Sequence, residues 1–291
     1  MHKTLRIVRG VTLVELLVVV SVLGILLALL LPAVQMAREA SRRVRCANNE
    51  NQIAIALHNH EAAFGYIPPT LTTFRGDSEL LYWQARILGF LEEKALLDRV
   101  RQQVVQSVQI YSNESRKVNL PKFQCSSNPD MGLLVGSDIG FLFAYTDYCG
   151  VAGTNSDDGV FPLAFNSGSE KGIRFRDITN GLSNTLWFGE RPPSDADEGF
   201  GAWIGGQNSF GASTYVLGDS SSFSHYPYFQ RECQSISNLG FKQGKRGSRC
   251  DWTHHWSFHP GGANFSRADG SVFFLSYDTD IRTLSEMSLR R

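Results

Sequence analysis

The chain has 291 residues and a formal net charge of zero, with 28 Lys and Arg against 28 Asp and Glu. This balance excludes the strongly basic composition typical of nucleic-acid-binding proteins. No internal repeat or low-complexity tract interrupts the sequence, and the roughly 225 residues that follow the N-terminal segment are enough for one sizeable core. The five cysteines are an odd number, so at least one of them stays unpaired within the chain.

The first 31 residues combine a basic start with a long apolar run. Lys3, Arg6 and Arg9 precede Gly10, and no acidic residue accompanies them. The apolar run covers residues 11–31 and is interrupted only by Thr12, Glu15, Ser21 and Gly24. At about 1.5 Å per residue this helix would cover about 31 Å, which is the thickness of bilayer hydrocarbon. The pattern predicts one membrane span, with the basic start in the cytoplasm and the rest exported.

Two ordinary targeting segments share this pattern, a secretory signal peptide and a plain signal anchor. The apolar region of a signal peptide usually has about 7 to 15 residues and ends at a small-x-small cleavage site. This run is longer, and the sequence after it continues as a helix. Glu15 favours a third interpretation, because a carboxylate inside an apolar span costs about 2.5 to 3.5 kcal/mol and needs a partner. Cleavage after Gly10 would supply one, since the new ammonium of Val11 would lie one turn away.

Residues 10–35 resemble the N-terminal cleavage and methylation segment of type IV prepilins and of type II secretion pseudopilins. The resemblance implies that a prepilin peptidase cuts between Gly10 and Val11 and methylates the new amine. Val11 replaces the phenylalanine that is usual in the family, and Pro32 matches a proline at mature position 22 of its members. The partners implied are other pilin-like subunits, with Glu15 setting their register. The implied location is the inner membrane, with the globular domain periplasmic or at the cell surface.

The helix is predicted to continue beyond the membrane. We divide the chain into a leader (1–10), an assembly helix (11–31), an amphipathic continuation (32–64) and an exported globular domain (65–291). The predicted buried stripe consists of Ala33, Ala37, Ala40, Val44, Ala47, Ile53 and Leu57. Arg42, Arg43 and Arg45 lie outside this stripe and are predicted to form a solvated face near lipid headgroups. Nucleic-acid binding is not expected, because without the three leader cations 25 Lys and Arg face 28 Asp and Glu.

The predicted fold class is α+β, a long helix packed on a β-rich antiparallel head as in pilins. Glycine, serine and short apolar runs dominate after residue 65. One further helix is predicted over residues 82–109. Short strands are predicted over residues 141–149, 159–165, 184–190, 200–205, 213–217 and 263–275.

The C-terminal region carries a second specific signal. Asp269-Gly270 between alternating flanks predicts a tight hairpin turn. Nine residues separate His259 from Asp269, which resembles the His-x9-Asp-Gly signature of a large bacterial family of prepilin-like proteins whose domain has no assigned function. We predict that His259 and Asp269 brace the hairpin through hydrogen bonds, because two residues do not complete a zinc site. No cofactor is expected, and a calcium site using Asp157, Asp158 or Asp278 with backbone carbonyls is the open alternative.

Disulfides are predicted because the domain is exported. Cys233 and Cys250 lie in one polar loop and form the first candidate pair. Cys46 with Cys125 is the second candidate pair and would tie the helix to the domain. Cys149 would then stay free.

The predicted function is that of a non-catalytic pilin-like or pseudopilin-like subunit. A hydrolase is the enzyme alternative, since Ser220 and the Asp251-x-x-His254 motif resemble lipase residues. About 30 residues separate the two motifs and no βαβ pattern is visible between them, which argues against it. The other alternative is a helix-anchored module that binds a glycan or another solute by stacking on aromatic residues. The candidate aromatics are Tyr215, Tyr226, Tyr228, Trp252 and Trp256.

Overall fold

The structure is a computed structural model that describes most of the chain. The described residues are 12–73, 80–106, 114–136, 142–154, 158–162, 172–193, 203, 213–214, 240–248, 250–251 and 254–291. The chain divides into two compact units, one ending at Ser41 and one that comprises residues 42–291.

The first helix, α1, covers Leu13–Phe64 and contains Pro32 without a break. By its length and apolar composition, α1 is able to cross a membrane. From Thr12 to Ser41 no described side chain is buried. The helical face that becomes buried begins only within the second unit, at Cys46.

The second unit contains short helices and strands around the rest of α1. Its further helices are α2 (Trp83–Arg86), α3 (Lys94–Gln106) and α4 (Ile281–Ser288). Its strands are β1 (Leu71–Thr73), β2 (Leu80–Tyr82), β3 (Leu134–Gly136), β4 (Leu142–Ala144), β5 (Tyr148–Val151), β6 (Leu186–Glu190), β7 (Ser213–Thr214), β8 (Gly262–Arg267) and β9 (Val272–Ser276). Short 3₁₀ turns lie at Leu88–Phe90, Glu114–Lys117, Pro121–Phe123 and Phe175–Asp177.

The main sheet has five strands in the order β7-β5-β6-β8-β9. All neighbours pair antiparallel except β5 with β7. Two separate antiparallel pairs, β1 with β2 and β3 with β4, complete the β structure of the described residues. The predicted α+β class is therefore confirmed.

Two hydrophobic clusters cover opposite faces of this sheet. Adjacent residues on a strand point to opposite faces, and Leu186 and Trp187 of β6 belong to different clusters. Trp187 packs in the larger cluster, which contains the α1 residue Leu57. Leu186 packs in the smaller cluster with Phe265 of β8 and Leu284 of α4. The sheet therefore carries α1 on one face and α4 on the other.

The predicted buried stripe of α1 is right only in its second half. Ile53 and Leu57 are fully buried, but Val44 is 59% exposed. The buried face starts instead with Cys46 and Glu50, which continue the four-three spacing to Ile53 and Leu57. The prediction failed there because the stripe was drawn through apolar residues alone and so left Glu50 out.

The predicted helix over residues 82–109 is broken in the structure. It consists of α2, the 3₁₀ turn at Leu88–Phe90 and α3. Glu92 has a φ of 64°, in the left-handed region that a continuing right-handed helix does not allow. The chain therefore turns at Glu92 before α3 begins.

The predicted strands are confirmed at β6 and at the β8–β9 pair. The predicted strand over 141–149 is two strands, β4 and β5, because the backbone N–H of Asp147 turns aside to donate to the carbonyl of Phe123. Within the predicted strand 159–165, residues 159–162 form no strand, and the remainder lies outside the described residues. Of the predicted strands 200–205 and 213–217, only residues 203 and 213–214 are described.

Candidate functional site

The start of α1 is fixed by a reciprocal pair of hydrogen bonds between Thr12 and Glu15. One Glu15 carboxylate oxygen accepts from the backbone N–H and from the hydroxyl of Thr12, both at 2.8 Å. The Glu15 N–H donates in return to Thr12 Oγ1 at 3.3 Å. This is a capping box, which satisfies N–H groups that have no partner inside the helix. The predicted processing residues Gly10 and Val11 lie outside the described residues.

The helix that follows presents an apolar surface on all sides. The large hydrophobic side chains from Leu13 to Leu31 are between 49% and 79% exposed. Pro32 lies within the continuous helix and is itself exposed. A contiguous apolar surface of this kind marks contact with lipid or with another protein.

The C-terminal hairpin forms, but its turn is longer than predicted. Strands β8 and β9 pair as far as Ser266 with Val272. Within the loop, Asp269 accepts a hydrogen bond from the N–H of Ser271 at 2.9 Å. Gly270 has a φ of 88°, a conformation that favours glycine. A Cβ on Gly270 would lie 3.3 Å from Nε2 of His58, so the turn rests against α1.

His259 does not brace this turn, contrary to the prediction. His259 precedes β8, whereas Asp269 follows it, so the two residues lie at opposite ends of the strand. The buried ring of His259 places Nε2 3.2 Å from Glu190 Oε1 and 3.4 Å from Cys125 Sγ. Nine intervening residues include the six-residue strand, and an extended strand separates its ends instead of joining them.

Glu190 ends β6 with its carboxylate completely buried. One oxygen accepts from the backbone N–H of Asn264 at 2.7 Å, and the other accepts from the Asn264 side-chain amide at 3.1 Å. Neighbouring strands β6 and β8 thus hold Glu190 in a single orientation, facing His259.

A disulfide joins Cys46 of α1 to Cys125, with the two Cα atoms 4.9 Å apart. This is one of the two predicted pairs. Cys149 is free and buried, as predicted, and burial raises the pKa of its thiol to about 11. Cys250 is disulfide-bonded, and its predicted partner Cys233 lies outside the described residues.

Glu50 is a second buried acid beside the disulfide, and the sequence analysis missed it. It lies one helical turn after Cys46 and is completely buried. Neither carboxylate oxygen has a hydrogen-bond partner in the described part of the chain. Burial, and then the negative charge of Glu190, raise the pKa of Glu50 well above its usual range. Its spacing of four residues from a cysteine expected to face the domain was the available signal.

Asp147 is a third buried acid at the same end of the sheet. Its carboxylate accepts from the Cys125 N–H and from the Asn128 side-chain amide, each at 2.6 Å. Burial raises the pKa of Asp147 to about 7, against the lowering effect of these two donors. The hydroxyl of the adjacent Tyr148 donates to the carbonyl oxygen of Cys46 at 3.1 Å. The acids and the disulfide therefore form one buried polar region.

The structure describes only some of the residues of the two alternative interpretations, the hydrolase and the solute-binding module. His254 Nε2 lies 3.0 Å from Asp251 Oδ1 and both residues are buried, but Ser220 lies outside the described residues. Trp256 is completely buried and does not form an exposed stacking surface. The other four candidate aromatics lie outside the described residues.

Two of the three residues proposed for a calcium site, Asp158 and Asp278, are described. The Asp158 carboxylate accepts hydrogen bonds from the N–H and hydroxyl of Thr154, both at 2.8 Å. Asp278 is exposed in the turn after β9, and Asp157 lies outside the described residues. The calcium interpretation stays a prediction.

Comparison with known families matches two parts of the chain. A family described as "Protein of unknown function (DUF1559)" matches residues 35–282. A family described as "Prokaryotic N-terminal methylation motif" matches residues 5–31. No curated protein and no solved structure matches the chain. The methylation motif and the apolar helix together suggest a membrane-anchored, pilin-like subunit.

Proposed function

The chain belongs to the family of proteins of unknown function (DUF1559), and we propose that it is a structural subunit that prepilin peptidase processes and that assembles through α1. The product is a type IV pilus-like or type II secretion pseudopilus filament. The observation that carries the proposal is the exposed apolar surface of residues 13–31, which lies within the methylation motif matched at residues 5–31.

The physical argument concerns where this surface is buried. Each apolar side chain removed from water contributes about 1.5 to 3 kcal/mol. The lipid bilayer supplies this burial while the subunit is stored in the inner membrane. In a filament the same side chains pack against the α1 helices of neighbouring subunits. Storage and assembly therefore use the same surface, with the head facing the periplasm or the cell surface.

Glu15 distinguishes assembly from simple anchoring. Inside one chain its carboxylate is held by Thr12 alone among the described residues. In an apolar environment an ammonium group is a stronger partner than a hydroxyl, because the two charges neutralise each other. The mature N-terminus at Val11, of the same or a neighbouring subunit, supplies that ammonium and aligns the helices.

We propose no catalytic role for the head. Support comes from four deeply buried ionisable residues of the head: His254, His255, His259 and Glu190 are each at most 1% exposed. Groups this deeply buried do not meet a substrate from solution without a rearrangement of the head. A structural subunit needs only a stable head of this kind.

Processing is tested by the mass of the mature protein after expression with a prepilin peptidase. We expect the chain to begin at Val11 and to carry one added methyl group. Gly10→Leu should leave the leader attached, and Gly24→Leu, the same change within the apolar run, should be processed normally. A mature chain that still begins at Met1, or one that lacks residues 11–31, would contradict the proposal.

Assembly is tested by Glu15→Leu in cells that produce the complete filament machinery. We expect normal membrane insertion and a loss of filament incorporation of at least about tenfold, since the loss of about 1.4 kcal/mol per contact corresponds to that factor. Ser21→Leu removes another polar side chain from the same run and should assemble normally. Immunogold microscopy and sheared-filament immunoblots measure incorporation. Equal incorporation of the Glu15→Leu variant would contradict the proposed role of Glu15 in assembly.

A further inference from the structure

Four potential metal ligands converge in the head around His259. The Sγ atoms of Cys46 and Cys125, a carboxylate oxygen of Glu190 and a ring nitrogen of His259 all lie within 4.8 Å of one another. All four residues are buried, and they are the one such group among the described residues. A zinc site was not expected from the sequence, because His259 and Asp269 alone do not complete one.

We propose that reduction of the Cys46–Cys125 disulfide converts this cluster into a structural Zn²⁺ site with Cys46, Cys125, Glu190 and His259 as ligands. Thiolate, imidazole and carboxylate groups are the ligands that zinc takes in proteins, and structural sites have four of them. In a tetrahedral site the ligand atoms lie about 3.4 to 3.8 Å apart. The cluster therefore needs only a contraction of about 1 Å and a separation of the two sulfur atoms.

The surroundings already orient two of the four ligands, Glu190 and Cys46. Asn264 holds the Glu190 carboxylate, and β8 and β6 fix both residues. The Ser126 N–H donates to Cys46 Sγ at 3.1 Å, a bond that stabilises a thiolate. Supporting hydrogen bonds of this kind are a regular part of metal sites.

Glu50 is a further buried acid, one helical turn after Cys46. It is completely buried, and neither of its oxygens has a hydrogen-bond partner among the described residues. The charge of the proposed site does not add to the cost of burying this group. Two thiolates and one carboxylate around Zn²⁺ leave a net charge of minus one, as in Cys₃His sites, and the disulfide with the Glu190 carboxylate has the same net charge.

The chemical step balances with an external dithiol as the reductant. The dithiol transfers two electrons and two protons to the Cys46–Cys125 disulfide and becomes a cyclic disulfide itself. The S–S bond breaks and two thiols form. Zn²⁺ then binds both sulfur atoms and releases two protons to solvent. The same residues would thus stabilise the head in an oxidising or a reducing environment.

The test uses the full-length protein in detergent, with Co²⁺ as a spectroscopic substitute for Zn²⁺. We introduce Cys250→Ser to remove the second source of paired thiols and compare oxidised protein with dithiothreitol-reduced, desalted protein. We expect the reduced protein to bind about one Co²⁺ per chain. Visible absorption of a tetrahedral ion and near-ultraviolet sulfur-to-cobalt charge transfer should appear, and Zn²⁺ should displace both. The oxidised protein should show neither signal.

Ligand identity is tested in the same background with His259→Ala and Glu190→Gln. Each variant should weaken Zn²⁺ binding by about tenfold or more in competition with a chromophoric chelator. Cys149→Ser is the matched control, because this buried thiol lies outside the cluster, and it should bind normally. Where a variant fails to fold, the comparison of oxidised and reduced protein with all four ligands intact still decides.

Three outcomes would overturn the proposal. The first is reduced protein that binds neither Co²⁺ nor Zn²⁺. The second is Co²⁺ bound without sulfur charge transfer. The third is equal binding by the oxidised form.

Discussion

Helix α1 has two segments that differ in which side chains are buried. In residues 13–31 the apolar side chains are exposed and no charged group is present except Glu15 at the start. In residues 42–64 the buried face includes Glu50 and His60 beside Ile53 and Leu57. The first segment of this continuous helix therefore exposes apolar side chains, whereas the second segment buries ionisable ones.

The difference shows which environment each segment requires. An exposed apolar helix indicates a medium or partner outside the chain, which in the proposed function is lipid and then other subunits. A buried acid identifies a partner within the chain or bound to it, because burial without one is costly. In the proposed function the first segment serves assembly, whereas the second segment belongs to the interior of the head.

The largest expected effect is at His255, a buried ionisable residue of the head. Burial, and then the charge of Arg191, lower the pKa of this ring from 6.5 to about 3. Its contribution to stability is therefore complete above pH 6.5 and is lost as the pH falls towards 3, because only the unfolded state then binds the proton. The loss is about 5 kcal/mol in the free energy of unfolding. Urea unfolding followed by tryptophan fluorescence, compared between the unsubstituted protein and His255→Gln across this range, measures it. A difference that does not vary with pH would contradict the assignment.

A matched pair of leucine substitutions compares the two segments of α1 directly. Leu57 is completely buried and Leu23 is 52% exposed. Leu57→Ala should lower the free energy of unfolding of the head by about 3 kcal/mol, since it removes buried methyl groups and leaves a cavity. Leu23→Ala should change it by less than about 0.5 kcal/mol. Equal losses in the same urea titration would mean that Leu23 contributes as much as Leu57 to the stability of the head, which would contradict the comparison.

Glycine substitutions give a smaller contrast. Gly270→Ala should destabilise the head by about 1 to 2 kcal/mol, because an L-residue is strained at a φ of 88° and the new Cβ approaches His58. Gly24→Ala should leave the stability of the head unchanged, as no atom lies within 4 Å of the new Cβ. Thermal unfolding monitored by near-ultraviolet circular dichroism distinguishes the two. A neutral Gly270→Ala would mean that the turn relaxes freely.

The smallest effect is expected at the start of α1. Thr12→Val keeps the side-chain shape but removes the hydroxyl that joins Glu15. Loss of the cap should cost about 1 kcal/mol in local helix stability, which corresponds to about fivefold faster exchange of the Glu15 amide hydrogen. Hydrogen exchange by NMR in micelles measures this rate, with the amide of Val19 as an internal control. An unchanged rate at Glu15 would show that the capping box does not hold the first turn.

Local sequence signals predicted the features that depend on neighbouring residues. The apolar run after Thr12 and Glu15 predicted the helix, since periodicity and length suffice for that. The Asp269-Gly270 pair predicted the β8–β9 hairpin, although it did not predict the length of the turn. Both features arise from interactions within a few residues.

The buried polar region was not predictable in the same way. Cys125 and His259 meet across 134 positions of sequence, and no local pattern reports such a contact. Glu50 and Glu190 were not predicted to be buried, because charged residues rarely are. The break at Glu92 was missed because leucines at helical spacing continue on both sides of it.

The cross-link at Cys46 also has a mechanical consequence. Cys46 lies five residues after Ser41, where the first compact unit ends. If the subunit is drawn out of the bilayer by its helix during the proposed assembly, the tension reaches Cys46 before it reaches Ile53 or Leu57. From that point the load divides between two covalent routes, the helix itself and the bridge to Cys125. Noncovalent packing further along the helix is thereby shielded from the pull.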